Sequence, residues 1–193
     1  MPRNKEYDED VVAEKAMQVF WDNGYKATSV RALEQAMGIN QFSIYSSFKS
    51  KQGLFLEVLK KYKELNEEVI LKTLIESNGD LEDIRKFYFG FIDSVKGHHK
   101  TNGCLFANTT AELGSSDPDV AILLKGHFAV LEGLFQELLI KAKERGNIKK
   151  EADTVKLSRY LVTTTEGLTI TAKIQDRESL EDFVEVVINS LKV

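Results

Sequence analysis

Between Thr28 and Lys51 the chain reads TSVRALEQAMGINQFSIYSSFKSK, and this stretch restricts the possible folds more than any other. Val30, Leu33 and Met37 recur at helical spacing behind Thr28 and Ser29, whose hydroxyls suit a helix N-terminus. Gly38 follows the last apolar position, where a left-handed residue ends a helix at little cost. Ile39 fills the turn, Asn40 caps the next helix, and Ile44 and Phe48 form that helix's only apolar stripe. A helix of about two turns is not stable alone in water, so it must lean on neighbours. Its other faces carry Gln41, Phe42, Ser43, Tyr45 and Ser46, mostly hydrogen-bonding groups turned outward. The pattern predicts a helix-turn-helix whose second helix is suited to a DNA major groove.

Net charge is −4 over 193 residues, which taken whole argues against a nucleic-acid binder. The charge is unevenly spread. Residues 1–63 hold ten Lys/Arg against eight Asp/Glu, whereas 64–193 hold 16 against 22. Lysines 49, 51, 60, 61 and 63 face a single acid, Glu57, within 38–63. A locally basic head on an acidic body fits a DNA-binding module attached to something else. The start, MPRNK, leads into charge rather than a signal-peptide core, and no apolar run approaches the ~20 residues of a membrane span. The expectation is a soluble cytoplasmic protein with no membrane partner. One cysteine excludes an intrachain disulfide and a multi-cysteine zinc site.

The remaining pattern is helical throughout, giving an expected all-α fold of about nine helices. Residues 1–7 read as a loose arm, with Arg3 and Lys5 as possible backbone contacts. The first helix starts near Asp8 and ends at Gly24, lining Val12, Ala16, Val19 and Phe20 on one face. Ser50 caps a long rod running to about Ser77, with Val69, Ile70, Leu74 and Ile75 assigned to the body. Further helices are expected at about 81–97, from Cys104 to Gly114, from Pro118 to Arg145, at about 154–174 and at about 179–192. Ile122, Leu123, Phe128, Leu131, Leu134, Phe135 and Leu138 are expected inward, and Ser179 to Asp182 resembles a capping box. Residues 1–50 form the expected DNA-binding head and 51–193 the regulatory and dimerisation body.

AMQVFWDNGYKATSV (16–30), MGIN (37–40) and IYSSFKSK (44–51) together resemble the DNA-binding head of the TetR family, over roughly residues 12–58. Phe42 and Gly53 depart from it, since the family usually has a small residue at the first and often Ala at the second. The resemblance implies a non-enzymatic regulator, a repressor that binds a double-stranded DNA operator as a homodimer and is released by a small-molecule inducer. No Gly-rich phosphate loop, G-x-S-x-G or His/Glu zinc pair speaks for an enzyme, and no cofactor or metal is expected.

Expected base-edge contacts are Gln41, Phe42, Ser43 and Ser46, with Gln41 suited to adenine and Phe42 to a thymine methyl. Expected phosphate contacts are Thr28, Ser29, Arg31, Tyr45, Lys49 and Lys51. The family implies an inducer pocket, for which Phe87, Phe91, Phe106, Phe128 and Phe135 are candidate lining; core packing accounts equally for each. The G-C-L around Cys104 and the Ala172-Lys173-Ile174 run are similar to a branch whose matching cysteine senses oxidants and electrophiles beside a matching lysine. A helix N-terminus also favours a thiolate at Cys104; the alternative is a small buried hydrophobe. His98, His99 and Cys104 could ligate a soft metal, but vicinal loop histidines are more often solvated. The dimer interface is expected on Leu157, Leu161, Thr164, Gly167 and Leu168, with Leu180, Phe183, Val184, Val187 and Ile188; core packing within the monomer is the alternative for about half of them. The competing function is a protein-partner module with a vestigial head, which Tyr45, Lys49 and Lys51 disfavour.

Overall fold

The computed structural model describes residues 7–96 and 102–192, so Arg3, Lys5, His98 and His99 lie outside the described residues. Among the described residues there are ten helices and no strand: α1 (Glu9–Asn23), α2 (Val30–Met37), α3 (Gln41–Phe48), α4 (Lys51–Val69), α5 (Lys72–Ile75), α6 (Leu81–Lys96), α7 (Leu105–Leu113), α8 (Pro118–Glu144), α9 (Thr154–Thr171) and α10 (Arg177–Leu191). Most starts are capped by a side chain on free backbone N–H groups: Asp8, Ser29, Asn40, Ser50, Asp117, Asp153 and Asp176. α10 therefore starts from Asp176, three residues before the expected Ser179 box. An aspartate carboxylate receives the Ser179 N–H there at 2.8 Å.

The head is α1–α3 packed on the first half of α4. Val12, Ala16, Phe20, Leu33, Met37, Ile44, Phe48, Leu54, Phe55 and Val58 are all buried in it. Phe20 meets Phe55 edge-on at 4.8 Å and lies over Tyr25 at 6.1 Å. α8 packs along α9, and α10 packs on α6; α7 touches α4, α8 and α9. α8 has 27 residues and is thus the longest rod, ~40 Å at 1.5 Å per residue.

The single long rod expected up to Ser77 is broken. Both Ile70 and Leu71 donate to the Asn66 carbonyl (2.9 and 3.0 Å), and the chain restarts as the four-residue α5. The inward face of α4 runs through Phe55, Leu59, Tyr62 and Asn66. Continued helically, that face would turn Leu71 away, whereas the break puts Leu71 and Leu74 into the core. Val69 and Ile75, assigned to the body, are 63% and 54% exposed. Ile122, expected inward on α8, is 70% exposed, and the buried positions there are Val120, Leu124, His127, Leu131, Phe135, Leu138 and Leu139.

The connection from α3 to α4 is a γ-turn. Ser50 N–H donates to the Phe48 carbonyl at 2.8 Å, with Lys49 between them at φ 70, ψ −45. Lys49 is the one non-glycine with positive φ among the described residues, a backbone state costing about 1–3 kcal/mol. The turn brings the Phe48 carbonyl over the start of α4, where a Cβ on residue 53 would lie 2.0 Å from it. Gly53 is there for lack of space. Gly53→Ala gains ~1 kcal/mol in helix propensity, yet the forced overlap costs about 1–3 kcal/mol. Chemical denaturation should show net destabilisation; a more stable variant would contradict this packing.

Candidate nucleic-acid interface

α3 is held from four sides. Ile44 is fully buried and Phe48 is 8% exposed, fixing its inner face. Asn40 Oδ1 accepts the Ser43 N–H (2.9 Å), and Glu34 Oε1 accepts the Gln41 N–H (2.6 Å). At the back, the Tyr7 hydroxyl donates to the Ser43 carbonyl (3.1 Å) and lies 2.9 Å from Ser47 Oγ. Tyr7 was expected in a loose arm. Its hydrogen-bonding partners are helix positions 36 and 40 residues away, which no local sequence pattern marks.

Gln41 and Ser46 are exposed, and Phe42 is 83% exposed. A phenylalanine this bare, in a head that buries Phe20, Phe48 and Phe55, is unexplained by packing. Ser43 and Tyr45 are half-buried, Tyr45 packing against the core, and Arg31 and Lys49 are exposed. Ser29 is exposed and already accepts the Ala32 N–H as the α2 cap.

Two expected phosphate contacts, Thr28 and Lys51, are engaged within the chain. Thr28 is 2% exposed, and its hydroxyl donates to the carbonyl of Gly24, the C-cap of α1, at 2.6 Å instead of accepting an N–H at the start of α2. The Lys51 ammonium donates to the Thr28 carbonyl (2.6 Å) and stands 4.4 Å from the Tyr25 ring centroid. Burial pulls its pKa down, against the pull of Glu112 upward. Lys51 thus ties the start of α4 to the start of α2, work that competes with any phosphate.

The predicted body residues fall into separate groups. Phe87 and Phe135 meet edge-on at 5.5 Å beside Tyr88, while Phe106 stacks on His127 at 4.1 Å and Phe128 lies tilted to the same imidazole at 5.4 Å. Phe91 is buried on α6. His127, a residue the sequence left unplaced, is 4% exposed with Nδ1 unpartnered; burial, aided by Lys63, lowers its pKa to about 4. Burial raises Glu166 to about 7, and Glu166 in turn acts on both Tyr62 and Cys104.

Cys104 caps α7 without a side-chain hydrogen bond to its backbone, and is 8% exposed. The Tyr62 hydroxyl donates to its sulfur at 3.5 Å. Burial pushes the thiol up and outweighs the nearby N–H groups of Ala107 and Phe106. Lys173 runs beside Gly103, where a Cβ would lie 2.8 Å from Lys173 Cε, but its ammonium goes to Asn108 Oδ1. Burial thus sets the direction of the thiol's shift, and the Lys173 ammonium is engaged by Asn108. No group of three or more metal-ligating side chains occurs among the described residues.

Of the expected dimer residues, Leu161, Leu168, Leu180, Val184, Val187 and Ile188 are at most 2% exposed within one chain. They are monomer core, because α9 and α10 turn these faces toward α8 and α6. Gly167 is exposed, and Leu157, Thr164 and Phe183 are half-buried. Tyr160, Ile170 and Ile174 near α9 and Val186 on α10 are exposed apolar residues that were not foreseen.

A compact three-helix head that displays one helix, carried on a helical body, defines a helix-turn-helix DNA-binding regulator. Residues 13–58 match the family model "Bacterial regulatory proteins, tetR family", and residues 81–187 match "Tetracyclin repressor-like, C-terminal domain". The chain is 31% identical over 193 residues to the uncharacterized HTH-type transcriptional regulator YezE of Bacillus subtilis, covering 99% of this chain and 100% of YezE. It is 30% identical to the HTH-type transcriptional repressor ComR of Escherichia coli, covering 99% and 90%. The chain belongs to the TetR family, a class of non-enzymatic DNA-binding transcriptional regulators whose partner is double-stranded DNA. A CifR cysteine mutant complexed with 26bp double-strand operator DNA superposes at TM-score 0.84, with 28% identity over 97% of this chain and 99% of CifR. Reduced Escherichia coli NemR shares the fold (TM-score 0.83, 18% identity, 94% and 95% covered).

Phe42→Ala should leave the unfolding midpoint unchanged, since so exposed a side chain supports little, yet relax sequence preference by about 1 kcal/mol or more at one base pair. Lys49→Ala should lower the slope of log affinity against log salt by about one unit. Equal loss on specific and random duplexes for Phe42→Ala would remove that ring from the reading face. For the body, the folded chain holds the Glu166 proton more tightly than the unfolded chain. Its burial penalty is absent below the ordinary value of 4.5 and grows until about pH 7. His127 acts in the opposite sense, costing stability as pH falls from 6.5 toward 4. Glu166→Gln should thus stabilise the protein at pH 8 more than at pH 5; parallel stability–pH curves would contradict a buried, charge-penalised Glu166.

Proposed function

We propose that the chain is a cytoplasmic homodimeric repressor, released from a two-half-site operator when its body takes up a small molecule. The observation that carries the reading is the outer face of α3, where Phe42 stands 83% exposed between exposed Gln41 and Ser46. Among the described residues no side-chain hydrogen bond or ring contact engages Gln41, Phe42 or Ser46, and the chemistry of that face suits base edges and a thymine methyl. Residues 1–50 act as the head and 51–193 as the body, with Ser29, Arg31, Tyr45 and Lys49 as the phosphate contacts. The repressor names of ComR in Escherichia coli and DhaR in Mycobacterium support the direction of control.

The dimer forms through the outer faces of α9 and α10. Tyr160, Gly167, Ile170 and Ile174 recur at helical spacing, and Val186 stands 67% exposed on the neighbouring helix. Gly167 lets two backbones approach, and Phe183, Leu157 and Thr164 flank the stripe. The inducer reaches the polar groups among Phe106, Phe128, His127 and Glu166, rather than reacting at Cys104. A buried thiol pushed up in pKa supports packing and ligand contact better than electrophile sensing.

The reading is tested by selecting duplexes from a random-sequence pool with the native protein. A two-fold site with half-sites a helical turn or a multiple apart is expected, about 34–36 Å per turn. Failure to enrich any sequence would contradict it. Ile170→Glu should give a monomer by sedimentation, because an unpaired charge in a dry interface costs several kcal/mol. A dimer persisting at low micromolar concentration would place the interface elsewhere.

A further inference from the structure

The turn between α1 and α2 is gripped by the body. Gly24 stands at φ 79, ψ 169, a backbone state open essentially to glycine alone. That conformation turns the next two backbone N–H groups the same way, and both donate to one carboxylate. Tyr25 N–H reaches Glu112 Oε2 at 2.8 Å and Lys26 N–H reaches Oε1 at 2.7 Å. A Cβ on residue 24 would lie 3.0 Å from Oε2, so the glycine also leaves the carboxylate its seat. The Lys26 ammonium closes the clasp on the Glu112 carbonyl at 3.2 Å.

Glu112 belongs to the last turn of α7, whereas the turn it holds leads directly into Thr28, Ser29 and α2. Lys51 joins the same unit through the Thr28 carbonyl and the Tyr25 ring. At its other end α7 is seated in the body, with Cys104 and the Leu105 N–H both on the Tyr62 hydroxyl. Phe106 stacks there on His127. A helix of nine residues, ~13.5 Å long, thus has one end among the body's buried polar groups and the other on the head.

Apolar contact reaches this junction through Trp21, which meets Tyr62 edge-on at 5.1 Å. Beside it a cleft of about 490 Å³ opens between the two parts, lined by Trp21, Gly24, Tyr25, Phe55, Asn108 and Glu112. Polar contacts bridge it: the Glu112 clasp, Trp21 Nε1 donating to the Gly103 carbonyl (3.0 Å), Gln52 Nε2 donating to Asp117 Oδ2 (2.9 Å) and Asn102 Nδ2 donating to Asp22 Oδ1 (2.5 Å). α4 carries the head, and these side contacts bear on its tilt.

We propose that Glu112 is a positioning residue for operator binding: its carboxylate sets the orientation of the head on the body, so a side chain that touches no DNA governs whether both heads engage at once. The proposal rests on the two-headed reading above and adds to it the element through which α7 acts. Two hydrogen bonds from backbone N–H groups to one carboxylate are each of the strong, charge-assisted kind. Replacing the carboxylate by an amide leaves one acceptor oxygen and sets an NH2 group against the second N–H.

The test compares Glu112→Gln and Glu112→Ala with the native protein. The probes are the duplex selected by the native protein and the same duplex with one half-site scrambled. Both variants should lose tenfold or more in affinity for the intact site and bind the half-scrambled site as the native protein does. Inserting one base pair between half-sites should cost them less than it costs the native protein. Amide hydrogen exchange should accelerate at Tyr25 and Lys26 while remaining unchanged at Leu33 and Ile44. Equal loss on both duplexes, or faster exchange throughout the head, would make Glu112 a support of head folding and overturn the proposal. Unchanged affinity for the intact site would overturn it as well. A native protein that does not distinguish the two duplexes would overturn the two-headed reading and the clasp with it.

Discussion

Everything the protein presents to DNA depends on keeping an eight-residue helix in place. α3 is far shorter than the ~12–15 residues at which isolated helices become even marginal in water. Its two inward side chains, Ile44 and Phe48, are too few to orient it alone. The rest of the head supplies what they lack. Asn40 and Glu34 satisfy its N-terminal N–H groups, Tyr7 closes on its back, and the strained Lys49 turn holds its C-terminus against α4. The strain at Lys49 and the glycine at 53 belong together. The tight turn needs the space that Gly53 leaves, and it sets Lys49 out at the edge of the reading face.

Rigidity within the head has a counterpart in its loose seating on the body. The head's core is apolar and close-packed, whereas its junction with α7 is a cleft bridged by hydrogen bonds. Polar bridges between groups of fixed geometry set angles without requiring a large buried surface, and small shifts break them. The body's interior holds a neutral histidine, a carboxyl raised to about 7, and a tyrosine on a thiol. Groups held at such cost are where a ligand has most to offer, because pairing them removes the penalty. α7 is the element common to both regions.

The helix-turn-helix was legible because its signals are local: caps, a left-handed glycine, and apolar residues at helical spacing. The same logic recovered the all-α class and most helix limits. It failed where burial was decided by distant partners. Thr28 and Lys51 read as surface groups, yet Gly24, Tyr25 and their own mutual contact draw them inward. The α9 and α10 stripe read as an interface, although α8 and α6 cover Leu161, Leu168, Leu180 and Val184. Helical spacing marks an apolar face without saying whether the same chain or another covers it. Glu112 could not be found by any spacing rule, since its partners are backbone groups 86 and 87 residues away. The one available hint was Gly24, which the sequence marks as the end of the first helix but not as the seat of a carboxylate.

The central claim is that two rigid heads are held at one separation matched to the DNA helix. Spin labels at Glu14, exposed on α1 and off the reading helix, introduced as Glu14→Cys in a Cys104→Ser background, report the head-to-head geometry by pulsed dipolar spectroscopy on the operator-bound protein. A single narrow distance distribution is predicted, as two heads seated on half-sites a whole number of helical turns apart require. A broad distribution on the bound operator, or the absence of any pair distance, would contradict the account.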